Sequence, residues 1–363
     1  MSKVKKIAGK TNNDLAESLK RIGKEPALRE NFVSFCKEVE EVIILPDRST
    51  RNEITGPLID ALYADVDVVS KKLKQELVFK MKYRSIIARD FVMSDEKEPD
   101  HVWEPQTTKL LLNLCENAKQ VLIGGAYCGD HAVLVANQII NSEGICHAFE
   151  PNSDQFEMLI ENMKANGLDN IVLNCIGLWE DNDITLQLCG YDSHAYAQVA
   201  GDEALNNVFS AVSIDTYGQN HGIKKLDMIM LDLEGGELPA LKGARQYLSQ
   251  PIGQAPNIIF EIHRNYADWS NGLQNTELLK LLNKFGYHIF SIRDYHSNVA
   301  TSEMPVELIP PETTCLEGPP HGFNMLAIKN LDLIDSPFFH LCNNVSPKLL
   351  KHKTSSMHHP MKS

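Results

Sequence analysis

Between Gln120 and Ile262 the sequence alternates short apolar runs with amphipathic helical patterns, and this alternation restricts the possible folds more than any other feature. The apolar runs are Gln120 to Gly124, Ile145 to Phe149, Ile171 to Ile176, Asp227 to Leu231 and Asn257 to Ile262. Helical patterns cover residues 130–140, 153–166, 237–248 and 275–285. Because short buried strands that alternate with helices form parallel sheets, we predict a doubly wound, mostly parallel α/β domain.

The segments on either side of this domain carry different patterns. Residues 1–100 are predicted to form a helical region that acts as a lid or a dimerisation element, with one helix opening at Glu25-Pro26. Apolar residues at helical spacing predict a second, long helix with one apolar stripe: Val69, Leu73, Leu77 and Met81. We place the α/β domain at residues 101–330 and a C-terminal tail at residues 331–363.

Composition excludes several classes of function. The formal net charge of -13 opposes non-specific binding to nucleic acid, which depends on Lys and Arg neutralising phosphates. The eight cysteines are scattered without zinc-ligand spacing, which is typical of reduced thiols. No apolar run approaches the ~18–20 residues that a membrane span requires. We therefore predict a cytoplasmic protein with no nucleic-acid or membrane partner.

A glycine turn follows the first strand, and a glutamate ends the second. The turn contains Gly124, Gly125 and Gly129, and glycine lets the backbone approach a ligand closely. Glu150 stands at the tip of the second strand, where a carboxylate can accept both hydroxyls of a ribose. Together they predict a cofactor that contains adenosine. The alternatives are a simple tight turn and a charge at the entry of the following helix.

The turn also separates two kinds of cofactor. A dinucleotide fingerprint requires glycine at its second position, but this sequence has Ala126, whose methyl group would crowd a pyrophosphate. S-adenosylmethionine has no pyrophosphate, so its site tolerates the alanine.

Further polar residues stand at the tips of the later strands. Asp232 and Glu234 follow the fourth strand, and two carboxylates that face one crevice repel each other unless they have a function there. Strand alternation directs Glu261 and His263 of the fifth strand to the same side, with His263 nearer the tip. A histidine at this place is either a catalytic group or an ordinary hydrogen-bonding residue.

In their order and spacing, four segments resemble the FkbM-type methyltransferases: GGAYCG, AFEPN, the stretch from Val212 through MIMLDLEGGELPALKGA, and IIFEIHR. The resemblance covers about residues 103–329. It implies a class I, seven-stranded Rossmann-like methyltransferase sheet and S-adenosylmethionine as cofactor. It also implies an acceptor hydroxyl on a small molecule, sugar or natural product.

The resemblance also implies roles for single residues. Gly125, Ala126, Gly129 and Glu150 would hold the cofactor, and Asp232 would lie near its methionine end and the transferable methyl group. Glu234 and His263 would face the acceptor. The family usually has aspartate at the first position of the glycine motif, where this sequence has Ile123. This departure leaves a non-catalytic, methyltransferase-like interaction module as an alternative.

Methyl transfer to a hydroxyl oxygen benefits from a general base, for which we predict His263 first and Asp232 second, with Glu234 orienting the acceptor. The proline-rich loop from Ser297 to His321 and the N-terminal helices are expected to cover the acceptor. A homodimer is possible. We assign no metal, although Asp232, Glu234 and His263 could together hold a divalent ion. A nucleotide-dependent oxidoreductase is the remaining alternative.

Overall fold

The structure is a computed structural model, and it describes residues 14–45, 49–182, 184–190, 195–201, 206–295, 297–301, 303–316 and 322–349. No helix among these residues is long and apolar enough to span a bilayer.

The N-terminal region contains both helices and a hairpin. Its elements are α1 (residues 14–23), α2 (Pro26–Val42), α3 (Gly56–Asp60), β1 (Val68–Lys72), β2 (Val78–Lys82) and α4 (Ile86–Val92). The helix that opens at Pro26 is as predicted, but the predicted long helix is wrong, because β1 and β2 form an antiparallel pair there. A spacing of four residues is also twice the strand period, so the stripe marks one face of a hairpin.

The rest of the chain contributes fifteen strands to the described part of the structure. They are β3 (Gln120–Gly124), β4 (Ile145–Phe149), β5 (Ile171–Asn174), β6 (Gly177–Leu178), β7 (Ile184–Cys189), β8 (Tyr196–Val199), β9 (Val208–Val212), β10 (Met228–Leu231), β11 (Asn257–His263), β12 (His288–Ile292), β13 (Asp294–Tyr295), β14 (Val306–Ile309), β15 (Gly322–Ile328), β16 (Phe339–Leu341) and β17 (Lys348–Leu349).

Nine of these strands form the central sheet, in the order β16-β14-β12-β15-β11-β10-β3-β4-β5. The five strands from β11 to β5 are parallel, and β15 is antiparallel to both of its neighbours. The predicted fold class is confirmed, since the seven strands from β12 to β5 form a mostly parallel sheet. Two further strands, β14 and β16, extend it at the β12 edge.

Helices cover both faces of the sheet. They are α5 (Pro105–Leu114), α6 (Ala132–Ile139), α7 (Ser153–Ala165), α8 (Ile214–Asn220), α9 (Glu237–Lys242), α10 (Arg245–Leu248) and α11 (Glu277–Lys284). Successive residues of β3 serve opposite faces: Val121 and Ile123 pack in one apolar core, and Leu122 packs in the other. The helix predicted over residues 237–248 is interrupted at Gly243, so it forms α9 and α10.

A small second sheet, in the order β6-β9-β7-β8, lies between β5 and α8 in the sequence. Sequence reasoning did not find it, because β8 and β9 are mostly exposed or half-buried and lack a continuous apolar run. Residues 191–194, between β7 and β8 in the sequence, and residues 202–205, between β8 and β9, lie outside the described residues.

Residues after 330 return to the body of the domain. β16 pairs with β14, and β17 pairs with β13. A fully buried ion pair lies beside them, in which Arg293 donates to Glu307 at 2.7 Å and to the Ser346 carbonyl at 3.1 Å. Part of the predicted tail therefore completes the sheets, while the domain boundaries themselves stay a prediction. The loop predicted from Ser297 to His321 includes the sheet strand β14, and its residues 302 and 317–321 lie outside the described residues.

Candidate active site

The glycine turn after β3 brings the backbone against the tip of β10. Gly125 has φ of +76°, and a Cβ atom there would lie 1.8 Å from the Asp232 carbonyl oxygen. The Gly125 and Ala126 N–H groups donate to the Phe149 carbonyl at 3.0 and 2.9 Å. Only glycine fits a position that combines a left-handed backbone with so close a contact. The register places Gly124 opposite both Phe149 and Leu231, so three strand tips meet at this turn.

Glu150 is fixed beside this turn. One carboxylate oxygen accepts from the Tyr127 N–H at 2.9 Å, and the other accepts from the Asn152 N–H at 2.8 Å. The residue is 8% exposed. Each carboxylate oxygen has two lone pairs, so these two bonds leave capacity for hydroxyl donors.

Asp232 and Glu234 lie in the loop after β10, which side-chain hydrogen bonds hold in place. Glu234 is left-handed, with φ of +48°. The Glu237 carboxylate accepts from the Leu233 N–H at 2.6 Å and from the Gly235 N–H at 3.0 Å. Glu237 therefore closes the loop that presents Asp232 and Glu234.

His263 ends β11, and its ring has a defined hydrogen-bonding state. Its Nδ1 accepts from the Asn265 N–H at 3.0 Å, which places the proton of the neutral ring on Nε2. Gly322 lies close by, since a Cβ there would be 2.2 Å from Glu261 Oε1 and 2.6 Å from His263 Cδ2. A glycine in β15 thus leaves space beside both side chains.

These groups surround one cavity of about 280 Å³. Of the predicted site residues, Gly125, Glu150, Asp232, Glu234 and His263 line it. Ala126 and Gly129 lie behind its wall, and a Cβ on Gly129 would lie 2.8 Å from Leu159 Cδ1 of α7. Gly129 therefore permits close helix packing at the turn.

The cavity lining combines apolar and acidic residues. The second sheet contributes apolar residues, which include Leu186, Leu188 and Phe209. Other elements contribute carboxylates: Glu104, Asp130, Asp232, Glu234 and Glu261. The cavity therefore suits a ligand with an apolar part and a positively charged part.

Crowding of these carboxylates changes their proton affinities. Burial, with the charges of Glu104 and Glu234, raises the pKa of Asp232 well above its ordinary value. Burial and the Asp232 carboxylate raise the pKa of Glu261 in the same direction. Burial also raises the pKa of Glu237 to about 7. A cation placed among these groups would favour their ionised forms.

The same crowding could hold a metal ion, but the cluster shares only Asp232 with the three residues that the sequence suggested. Carboxylate oxygens of Asp232, Glu237 and Glu261 lie within 4.8 Å of one another. The Oε2 atom of Glu261 is buried and has no hydrogen-bond partner. Both oxygens of Glu237 already accept backbone N–H groups, which lowers their value as ligands.

Sequence reasoning missed several charged residues of the cavity, among them Glu104 and Lys348. Glu104 precedes α5, and Lys348 lies in β17, within the predicted tail. Burial and the Asp294 carboxylate raise the pKa of Glu104 to about 7, although the charge of Lys348 opposes this shift. Neither residue belongs to a recognisable motif, because each reaches the cavity only through the folding of a chain end.

Comparison with known proteins finds a family model that matches part of the chain. Residues 124–289 match the family model described as "Methyltransferase FkbM domain". The crystal structure of methyltransferase FkbM from Methylobacillus flagellatus KT is 17% identical, with a TM-score of 0.33, and the match covers 58% of this chain and 43% of that chain. The chain thus spans less than half the length of that protein. None of the curated proteins matches the chain significantly.

Two other similar solved structures are more fully covered. A putative O-methyltransferase from Klebsiella pneumoniae is 14% identical, with a TM-score of 0.34, over 62% of this chain and 80% of that chain. M. jannaschii TYW2 in complex with AdoMet is 12% identical, with a TM-score of 0.33, over 73% of this chain and 86% of that chain.

Proposed function

From the match of residues 124–289 to the FkbM methyltransferase model, we propose that the protein is an S-adenosylmethionine-dependent O-methyltransferase. The proposed acceptor is a hydroxyl group on a small molecule, sugar or natural product. The observation that carries the proposal is the Glu150 carboxylate, held by two backbone N–H groups beside the Gly125 turn.

The cavity residues fit such a cofactor. A carboxylate such as that of Glu150 can accept from two ribose hydroxyls, and the absence of a side chain at Gly125 leaves room for close backbone approach. The carboxylates around Asp232 provide a negative environment for a sulfonium and an ammonium group. When bound, the cofactor supplies an electrophilic methyl group.

The protein's own residues hold the acceptor oxygen in line with that methyl group and exclude water. His263 donates from Nε2 in its neutral form, because Nδ1 is engaged by the Asn265 N–H. We therefore propose that His263 orients the acceptor oxygen as a donor, although its role as a base was the first expectation. We propose Asp232, the second residue expected as a base, as the general base. A carboxylate whose pKa is raised is a stronger base once it is ionised.

The test of Glu150 is the affinity for S-adenosylhomocysteine, measured by calorimetric titration. Loss of a charge-assisted pair of hydrogen bonds costs about 2 to 4 kcal/mol, so Glu150→Ala is expected to weaken binding by roughly 30-fold or more. Glu157→Ala is the matched control, because Glu157 is an exposed glutamate on α7. Circular dichroism verifies that the variants remain folded. Binding by Glu150→Ala within about twofold of wild type would show that Glu150 is only a charge at the entry of α7.

A further inference from the structure

Glu104 is held in an unusual conformation at the edge of the cavity. Its φ of +50° is left-handed, which costs a non-glycine residue free energy. Its carboxylate accepts from Asn324 Nδ2 of β15 at 2.5 Å. The helix α5 begins at the next residue, so this conformation turns the chain sharply between the cavity and the helix.

Lys348 reaches the same part of the cavity from the other end of the chain. The residue is only 5% exposed, and it pairs in register with Asp294 of β13. The Asp294 carboxylate accepts from the Gln106 N–H at 2.9 Å and from the Thr107 N–H at 2.7 Å, in the first turn of α5. One scaffold therefore fixes both Glu104 and Lys348.

The charges of these two residues are complementary to those of an amino acid. Among the described residues that line the cavity, Lys348 is the single lysine or arginine, and the other charged groups are mostly carboxylates. Glu104 interacts electrostatically with both Lys348 and Asp130, next to the Gly125 turn. Both residues line the cavity, so a carboxylate and an ammonium group are available there to the α-ammonium and the α-carboxylate of a bound amino acid.

We propose that Glu104 and Lys348 form a clamp for the amino-acid end of the cofactor, with Glu104 accepting from its α-ammonium group and Lys348 donating to its α-carboxylate. The proposal rests on the proposed function. Both residues lie outside the segment that matches the family model, residues 124–289. The clamp is thus a contribution of the two flanking segments, and it joins them through the bound cofactor.

The test compares ligands with and without the amino-acid end. S-adenosylhomocysteine carries both charged groups, 5′-methylthioadenosine carries neither, and decarboxylated S-adenosylmethionine lacks only the carboxylate. Lys348→Met is expected to weaken binding of S-adenosylhomocysteine by at least about tenfold while leaving 5′-methylthioadenosine within about twofold. Glu104→Gln is expected to weaken binding of S-adenosylhomocysteine and decarboxylated S-adenosylmethionine alike. Lys242→Met is the control, since Lys242 lies in α9 outside the cavity lining.

A thermodynamic cycle isolates the contact between Lys348 and the carboxylate. In wild type, S-adenosylmethionine should bind more tightly than its decarboxylated form, and Lys348→Met should abolish most of that difference. If Lys348→Met leaves this difference in affinity unchanged, or weakens the binding of every ligand equally, 5′-methylthioadenosine included, the clamp is refuted. Binding of the cofactor by wild type would stand in either case. If wild type binds none of these ligands, the proposed function itself fails.

Discussion

Gly125 shows at the scale of one residue how the cavity depends on the backbone. Its left-handed φ and its contact with the Asp232 carbonyl both exclude a side chain, and the contact joins the tips of β3 and β10. Gly167 offers a comparison, because it has a similar φ of +61° but no atom within 4 Å of an added Cβ. Alanine variants at the two positions therefore separate the free-energy cost of a left-handed conformation from the cost of a steric clash.

We predict different losses of stability for the two alanine variants in chemical denaturation. Gly167→Ala should cost about 1–2 kcal/mol, the price of a left-handed alanine. Gly125→Ala should cost clearly more, since backbone atoms must also move, and it should lose S-adenosylhomocysteine binding. Equal losses of stability in the two variants would show that the close contact at Gly125 relaxes without cost.

Several site residues could be predicted from the sequence because parallel strands end at one edge of a sheet. Gly125, Glu150 and Asp232 each follow a buried apolar run, so their meeting follows from the strand pattern. Glu104 and Lys348 could not be predicted, because their positions depend on long-range contacts of the chain ends. The tautomer of His263 was equally inaccessible, since it depends on the turn that brings the Asn265 N–H to Nδ1.

Among the elements, Asn162 of α7 and Asn166, the residue that follows α7, connect the hairpin to the α/β domain. Asn162 Oδ1 accepts from the Lys80 N–H at 2.8 Å, and its Nδ2 donates to the Lys80 carbonyl at 2.7 Å. Asn166 makes the same pair of bonds with Val78, at 2.7 and 2.8 Å. These side chains satisfy backbone groups of β2 as a neighbouring strand would.

Asn162→Ala is therefore expected to lower the free energy of unfolding by about 1–3 kcal/mol, because it leaves buried backbone groups of Lys80 unpaired. Hydrogen exchange at the Lys80 amide should accelerate in the same variant. Asn220→Ala, at the exposed end of α8, is the control and should stay within about 0.5 kcal/mol of wild type. If exchange at Lys80 were unchanged in Asn162→Ala, the bonds from Asn162 would not contribute to holding β2.

At the scale of the whole molecule, the family-matched segment depends on both chain ends. N-terminal residues such as Ile59 and Phe79 belong to the same apolar core as Val121 of the central sheet. The C-terminal strands add to that sheet and to β13. The sequence predicted the parallel sheet because its strands are continuous apolar runs. It could not predict the hairpin, whose apolar spacing fits a helix equally well, or the short terminal strands.

Titration of the wild-type protein with S-adenosylhomocysteine and, separately, with NAD tests whether this cavity binds S-adenosylmethionine. We expect saturable one-to-one binding of S-adenosylhomocysteine and no measurable heat with NAD, because the glycine turn has Ala126 where a dinucleotide fingerprint has its second glycine. Binding of NAD without S-adenosylhomocysteine would favour an oxidoreductase. Binding of neither would contradict the account and favour a non-catalytic module.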